Sequence, residues 1–265
     1  MLVFIVPVKS KYISKSWESV SKLFERCVKS ICNQTVNDFR VIVVCNEKPE
    51  IEFSHPHITY IQHNFELQGT DWKSKQLDKL SKFTTGLIYA RRLKPSHVMC
   101  VDADDCVSKY LAEFVNRNPQ ANGWFIKKGY IYSEGSRLIR IMRKGFDQYC
   151  GTSNIIRYDL YNVPENIKSV CDNKYTQYIY DYYRHRDITS TLAEKGTPLE
   201  PLPFPGAVYI KNGENVYFGV TNKNKALTLK SRLLRMKALL DYRWIVQSTH
   251  DEFNLYNIEN ISQLA

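Results

Sequence analysis

The sequence predicts an α/β fold: a mixed, mostly parallel central sheet flanked by helices, followed by a C-terminal helical extension. Three observations carry this. Leu2–Val8 and Phe39–Cys45 are almost wholly apolar and rich in β-branched residues, as strands buried on both faces are. The segment between them repeats its apolar residues at helical spacing. Strand and helix patterns then follow one another as β-α-β-β-α-β, the order that produces parallel strands with helices on the faces of the sheet.

Taken in order, Leu2–Val8 is the first strand, ended at Pro7. Residues 16–33 form a helix with Val20, Leu23, Phe24, Cys27, Val28 and Ile31 on one face, capped by Ser16 or Ser14. After the turn at Asn37-Asp38 comes the strand Phe39–Cys45, and then a third at Ile58–Gln62. Residues 72–92 read as a helix stopped by Pro95, and His97–Val101 as a short buried strand. A helix over 107–117, a hairpin of Trp124–Tyr132 with Arg137–Met142, and a helix over 175–195 follow. A proline-rich stretch leads to a strand at Ala207–Ile210, and residues 226–246 form a basic amphipathic helix with Leu229, Leu233, Met236 and Leu240 along one stripe. The boundary falls at 218, with a domain over 1–218 and an extension over 219–265.

At 265 residues the chain can bury a sizeable core. Its formal net charge of +10 creates a field that attracts anions: nucleic acid, an acidic membrane surface or a phosphorylated small molecule. The seven cysteines contain no Cys-x-x-Cys pair and suggest neither a zinc site nor a disulfide framework. A reducing, cytoplasmic location is expected on that ground. The apolar N-terminal run is too short for a signal segment, and no run approaches the ~20 apolar residues that span a bilayer.

Asp102-Ala103-Asp104-Asp105 stands directly after the strand His97–Val101, at the end of a parallel sheet where such folds place ligands. Carboxylates packed this closely repel one another, and a divalent cation removes the penalty. Mg²⁺ and Mn²⁺ take oxygen ligands from one or two carboxylates and complete their shell with substrate phosphates. Alternation along an extended chain turns Asp102 and Asp104 to one side. Asp105 points away, or caps the helix starting near Val107; capping is the alternative explanation of the whole cluster.

The segments FIVPVK (4–9), CVKSICNQT (27–35), DFRVIVVCNE (38–47) and VMCVDADDCVSKYL (98–111), in this order, resemble glycosyltransferase family 2, with its GT-A, Rossmann-like fold. The resemblance implies transfer of a sugar from a nucleoside-diphosphate sugar to a glycan, lipid or protein acceptor, assisted by Mn²⁺ or Mg²⁺ and inverting. It implies that Pro7, Val8, Lys9, Asp102 and Ala103 line the nucleotide site, with Asn46 and Glu47 where the family carries acidic residues toward the base. Lys79 and Lys82 fall on the helix that faces the diphosphate; solvated surface lysines are the other explanation. Asp104, with Asp102, would bind the metal, and Gly151, Thr152 and Ser153 would line the donor-sugar pocket.

The same resemblance puts the general base in the run Arg184-His185-Arg186-Asp187. His185 falls at the usual aspartate position and Asp187 two residues later, so either can serve. Asn212 stands where a further histidine ligand is expected, and Lys211 beside it would offset diphosphate charge. Rival classes are a lapsed nucleotide-sugar binder, a metal-dependent nucleotidyltransferase and a nucleic-acid-binding protein. The last is not expected, because no helix-turn-helix, zinc, RRM or KH signature is present. The basic C-terminal helix would suit peripheral contact with a membrane.

Overall fold

The computed structural model describes residues 1–65, 69–164, 173–215 and 240–258. A seven-stranded sheet and a five-stranded sheet share the chain. In the larger, β1 (Leu2–Pro7) lies between β2 (Phe39–Cys45) and β4 (His97–Cys100), parallel to both, with Leu2 opposite Phe39 and His97. β3 (Ile58–Gln62) extends the parallel set beyond β2. Beyond β4 the sheet continues through β9 (Asn154–Arg157), which is antiparallel, to β6 (Gly123–Phe125) and β10 (Glu200–Pro201). The expected mixed, mostly parallel sheet flanked by helices is present.

Side chains of β1 alternate between two cores. Leu2, Phe4 and Val6 pack with Phe24, Cys27, Val28 and Ile31 of α1 (Trp17–Cys32), whereas Val3 and Ile5 pack with Phe83 and Leu87 of α2 (Trp72–Ala90). Helices therefore cover both faces, which explains why β1 and β2 contain almost no polar residue. Ser16 caps α1 by accepting from Ser19 N, and Asp71 caps α2 by accepting from Lys73 N and Ser74 N. A methyl group at Gly86 would lie 2.4 Å from Ile5 Cγ2, so glycine sets the close approach of α2 to β1.

The smaller sheet runs β12 (Tyr242–Trp244), β8 (Leu138–Met142), β7 (Gly129–Ser133), β11 (Ala207–Lys211) and β5 (Cys106–Val107). Its inner face buries Tyr132, Ile139, Val208 and Ile210 against Leu23 of α1 and against Phe253 and Leu255. Four expected elements differ. The helix over 107–117 starts only at Leu111 (α3, Leu111–Arg117), because residues 106–107 pair with β11. The strand Trp124–Tyr132 is split: Gly123–Phe125 joins the large sheet and Gly129–Ser133 the small one, so the hairpin is β7 with β8. Between these strands and β9 lies the short helix α4 (Phe146–Tyr149). The helix over 175–195 breaks into α5 (Asn173–Tyr182) and α6 (Ile188–Glu194). Of the helix over 226–246, residues 226–239 lie outside the described residues; 242–244 form strand β12 instead, followed by α7 (Gln247–Phe253).

Arg26 of α1 is fully buried. Its guanidinium reaches both carboxylate oxygens of Glu134, at 3.0 and 2.8 Å, and donates to Tyr256 O at 2.7 Å. This pair joins α1, the β7–β8 turn and the C-terminal segment. Arg26→Ala leaves the Glu134 carboxylate without its cation, holding only Ile258 N at 3.2 Å, and is expected to cost about 3–5 kcal/mol in urea unfolding. Replacing Arg26 with Met and Glu134 with Leu together should restore most of that loss.

His97, also fully buried, sits between Ser96 Oγ (3.1 Å) and Ala121 O (2.9 Å), and burial pulls its imidazole down to about 4. An unfolded histidine titrates near 6.5. Between those values the unfolded chain binds the extra proton, so stability falls as pH is lowered from about 6.5 to 4. His97 alone should contribute about 3 kcal/mol to that slope. Unfolding midpoints across this range, compared with those of His97→Gln, measure it.

Candidate functional site

β4 carries the chain to the carboxyl edge of the parallel strands, where Val101 N still donates to Ile5 O at 2.9 Å. The chain then turns, with Asp105 N donating to Asp102 O at 3.0 Å, and enters β5 of the smaller sheet. The acidic cluster is therefore the crossing between the two sheets, and its three carboxylates have different surroundings.

Asp105 is fully buried. Its Oδ1 accepts from Ile210 N at 3.0 Å, and its Oδ2 from Thr152 Oγ1 at 2.7 Å and Cys150 Sγ at 3.2 Å. Asp105 does not cap a helix: it ties β4, the start of β9 and β11 together. Burial, with Asp104 and Asp102 nearby, pushes its carboxyl well above the usual carboxylate range. The Thr152 hydroxyl also accepts from Asp102 N at 2.8 Å, which fixes the turn.

Asp104 is half-buried, and its Oδ2 accepts from Asn212 Nδ2 and Asn215 Nδ2, each at 2.8 Å. Both amides are oriented by backbone donors: Glu214 N reaches Asn212 Oδ1 at 2.8 Å, and Asn212 N reaches Asn215 Oδ1 at 2.7 Å. The Asn212 side-chain oxygen thus accepts from the backbone, and its amide serves Asp104 as a donor. Burial and the Asp102 charge raise the Asp104 carboxyl, while Asn212 and Lys9 oppose them. The loop is anchored by Glu214, which pairs with Lys9 and accepts from Ser16 N at 2.9 Å.

Asp102 forms an ion pair with Lys79 of α2 through Oδ1. Burial works against the Lys79 charge, and Asp102 more than offsets it, so the ammonium is held above its ordinary range. A methyl group at Gly151 would lie 2.6 Å from Asp102 Oδ2 and 2.9 Å from Lys79 Nζ; only glycine leaves room for this pair. His185 lies in the break between α5 and α6, where its carbonyl accepts from Asn154 Nδ2 at 3.5 Å. Its Nε2 is buried without a hydrogen-bond partner among the described residues. Burial first, and then the Lys79 charge, pulls this imidazole down to about 4, with Asp102 opposing.

Lys79, Asp102 and Gly151 therefore gather at one place, with Asp104, Asn212 and Lys9 at its side, and the His185 imidazole lies within the reach of the Lys79 and Asp102 charges. Other residues singled out in the sequence stand differently. Lys82 is fully buried and pairs with Asp78 at 2.8 Å, so its ammonium does not face a diphosphate. Asp187 pairs with Arg184 at 2.7 Å, and both side chains are nearly half exposed. Glu47 accepts from Ser10 Oγ (3.2 Å) and Lys11 N (3.0 Å), which braces the turn after β1. Asn46 donates to Phe65 O at 3.0 Å, and its Oδ1 is buried without a partner among the described residues. Pro7, Val8, Thr152 and Ser153 are buried, and Ala103 is half-buried. Sequence reasoning missed the roles of Glu214, Asn215 and Cys150, because their partners are distant in the chain.

A divalent ion would meet oxygen ligands here. Asp102 Oδ2 and Asp104 Oδ1 have no side-chain donor among the described residues, and no group of three His, Cys, Asp or Glu side chains gathers there to hold a metal. Two carboxylates without a third suit Mg²⁺ or Mn²⁺ that arrives with substrate phosphates and water.

No protein-family model matches the chain, and no curated protein matches it. Among solved structures, residues 1–349 of TarS from S. aureus superpose with a TM-score of 0.44 at 14% identity, over 79% of this chain and 60% of that one. A longer S. aureus TarS chain gives 0.44 at 13% identity, over 79% and 36%. The 2-C-methyl-D-erythritol 4-phosphate cytidylyltransferase IspD of Francisella tularensis gives 0.39 at 11% identity, over 89% and 98%. This chain spans less than two thirds of either TarS chain.

Proposed function

We propose that the protein is a GT-A-type glycosyltransferase that takes a sugar from a nucleoside-diphosphate donor, with Asp102 and Asp104 as the donor-diphosphate and metal site. The observation that carries this is the arrangement of the acidic cluster. Two carboxylates stand at the carboxyl edge of parallel strands, one paired with Lys79 and the other held by two amides, while Asp105 is withdrawn into the core. The motif order in the sequence supports the same reading.

In this reading the nucleoside rests along the ends of β1 and β2, by Pro7, Val8, Lys9, Asn46 and Glu47. The diphosphate reaches Asp102, Ala103 and Asp104. Bound Mn²⁺ or Mg²⁺ would supply positive charge for the departing diphosphate. Lys79 and Lys9 add fixed cations, which can exchange their carboxylate partners for phosphate oxygens. Gly151 keeps the backbone close to the reacting centre, above Thr152 and Ser153. His185 is the base we assign: its neutral imidazole takes the acceptor hydroxyl proton as the oxygen attacks the anomeric carbon and the nucleoside diphosphate leaves.

A thermal-shift panel of UDP, GDP and CDP, each with Mn²⁺, with Mg²⁺ or with EDTA, tests the reading, with single- and double-stranded DNA as comparison. A nucleoside diphosphate should raise the melting temperature only when metal is present. Stabilisation by DNA and by no nucleoside diphosphate would overturn it.

A further inference from the structure

We propose that the outer face of the smaller sheet is the acceptor platform, and that it takes a glycan bearing phosphate or carboxylate groups. The proposal rests on the donor site described above. Strand alternation sends Tyr132, Ile139, Val208 and Ile210 inward, so residues one step along each strand face the other way. Pairing register places Tyr242 opposite Arg140, Arg140 opposite Ile131, and Ile131 opposite Tyr209. One row thus crosses four strands, exposed at Tyr242 and covered at Ile131, which is 4% exposed. Beside it Trp244 stands opposite Leu138, and Lys211 follows on β11.

Trp244 is 65% exposed and Tyr242 46%, large fractions for aromatic side chains on a sheet. Tyr149 of α4 meets the Tyr209 ring edge-on at 5.1 Å and is itself 41% exposed. Flat aromatic surfaces with open faces suit the C–H faces of sugar rings. Arg140 and Lys211 supply charge: neither forms an ion pair with a carboxylate among the described residues, and Arg140 Nε is buried without a partner there. Arg140 stands opposite Ile131 and Ile131 opposite Tyr209, with Lys211 two residues further along β11, so both cations lie on this face of the sheet, and burial with the Arg140 charge lowers the Lys211 ammonium. Two cations on one face, neither paired with a carboxylate among the described residues, suit an anion.

The row also begins at the donor site. Lys211 directly precedes Asn212, which holds Asp104, and Ile210 N is held by Asp105. An acceptor lying along the row would run from Trp244 at the sheet edge toward the acidic cluster, where its hydroxyl would meet the donor. Lys211 accordingly serves the acceptor and not the diphosphate.

Calorimetric titration of the full chain tests this, with oligogalacturonate (carboxylate), a mannose-6-phosphate oligosaccharide (phosphate), maltohexaose (neutral) and an oligothymidylate as probes. At least one anionic glycan should bind tenfold or more tightly than maltohexaose, and which one does identifies the anion. Arg140→Gln and Lys211→Met should each weaken that binding about tenfold and leave the weak maltohexaose signal in place. Trp244→Ala should weaken both, and it carries the test if Arg140→Gln proves unfolded. Equal binding of neutral and charged glycans, unchanged affinity in the variants, preference for the oligothymidylate, or no glycan binding would each overturn the proposal. Glycan binding by the wild type without any metal-dependent nucleoside-diphosphate shift would sink the donor reading and leave the platform; the reverse would sink the platform alone.

Discussion

Asp104→Asn is expected to lower sugar transfer by at least about 10³-fold, with little change in folding stability. The substitution is close to isosteric, and the new side-chain oxygen can still accept from Asn212 Nδ2 and Asn215 Nδ2, both now at 2.8 Å from Asp104 Oδ2. What disappears is the negative charge beside Asp102. A divalent ion would then keep one protein carboxylate, and the departing diphosphate would lose the fixed partner that positions its counter-charge. Initial rates of nucleoside-diphosphate release from a matched donor and acceptor measure the effect. A variant that turns over like the wild type would remove Asp104 from the mechanism.

Comparing His185→Ala with Asp187→Asn should produce the second large effect. Loss of a general base typically costs about 10²–10⁴-fold. His185→Ala should fall in that range, while Asp187→Asn stays within about threefold, because the Asp187 carboxylate already pairs with Arg184 near solvent. The pH profile adds a sign. The imidazole is pulled down to about 4, so protonation switches the base off only as pH falls through about 4. The wild-type kcat/KM should therefore be flat through neutrality and fall on that acid limb, and the variant should lose the limb. Inverted results for the two variants would assign the base to Asp187.

Much of the fold was legible because its strands are extreme cases. β1 and β2 follow their apolar runs to within a residue, since burial on both faces leaves almost no position for a polar side chain. Ser16 was legible as a cap because its bond to Ser19 N is local. The failures share a cause: their deciding contacts are remote. β5 is two residues long and exists only through its pairing with Ala207 and Val208. Strand 242–244 exists through β8, about a hundred residues earlier in the chain. The break in 175–195 comes where Arg184 O accepts from both Asp187 N and Ile188 N, each at 3.0 Å.

The site divides in the same way. Asp102-Ala103-Asp104-Asp105 was recognisable because its position after a buried strand is local information. The separate duties of its carboxylates were not, because the partners that decide them are Ile210, Asn212 and Asn215, more than a hundred residues onward. Lys79 and Lys82 illustrate the limit. Both lie on α2, three residues apart and equally basic; one reaches Asp102 while the other is sealed against Asp78.

The central claim is that Asp102 and Asp104 hold a divalent ion together with a nucleoside diphosphate. Electron paramagnetic resonance of Mn²⁺ tests it most directly, since the sharp signal of the free ion broadens when it is bound. Wild-type protein with Mn²⁺ and the stabilising nucleoside diphosphate should remove free-ion signal beyond what nucleotide alone removes, and Asp104→Asn should not. Equal signal loss in wild type and Asp104→Asn, or none in either, would contradict the account.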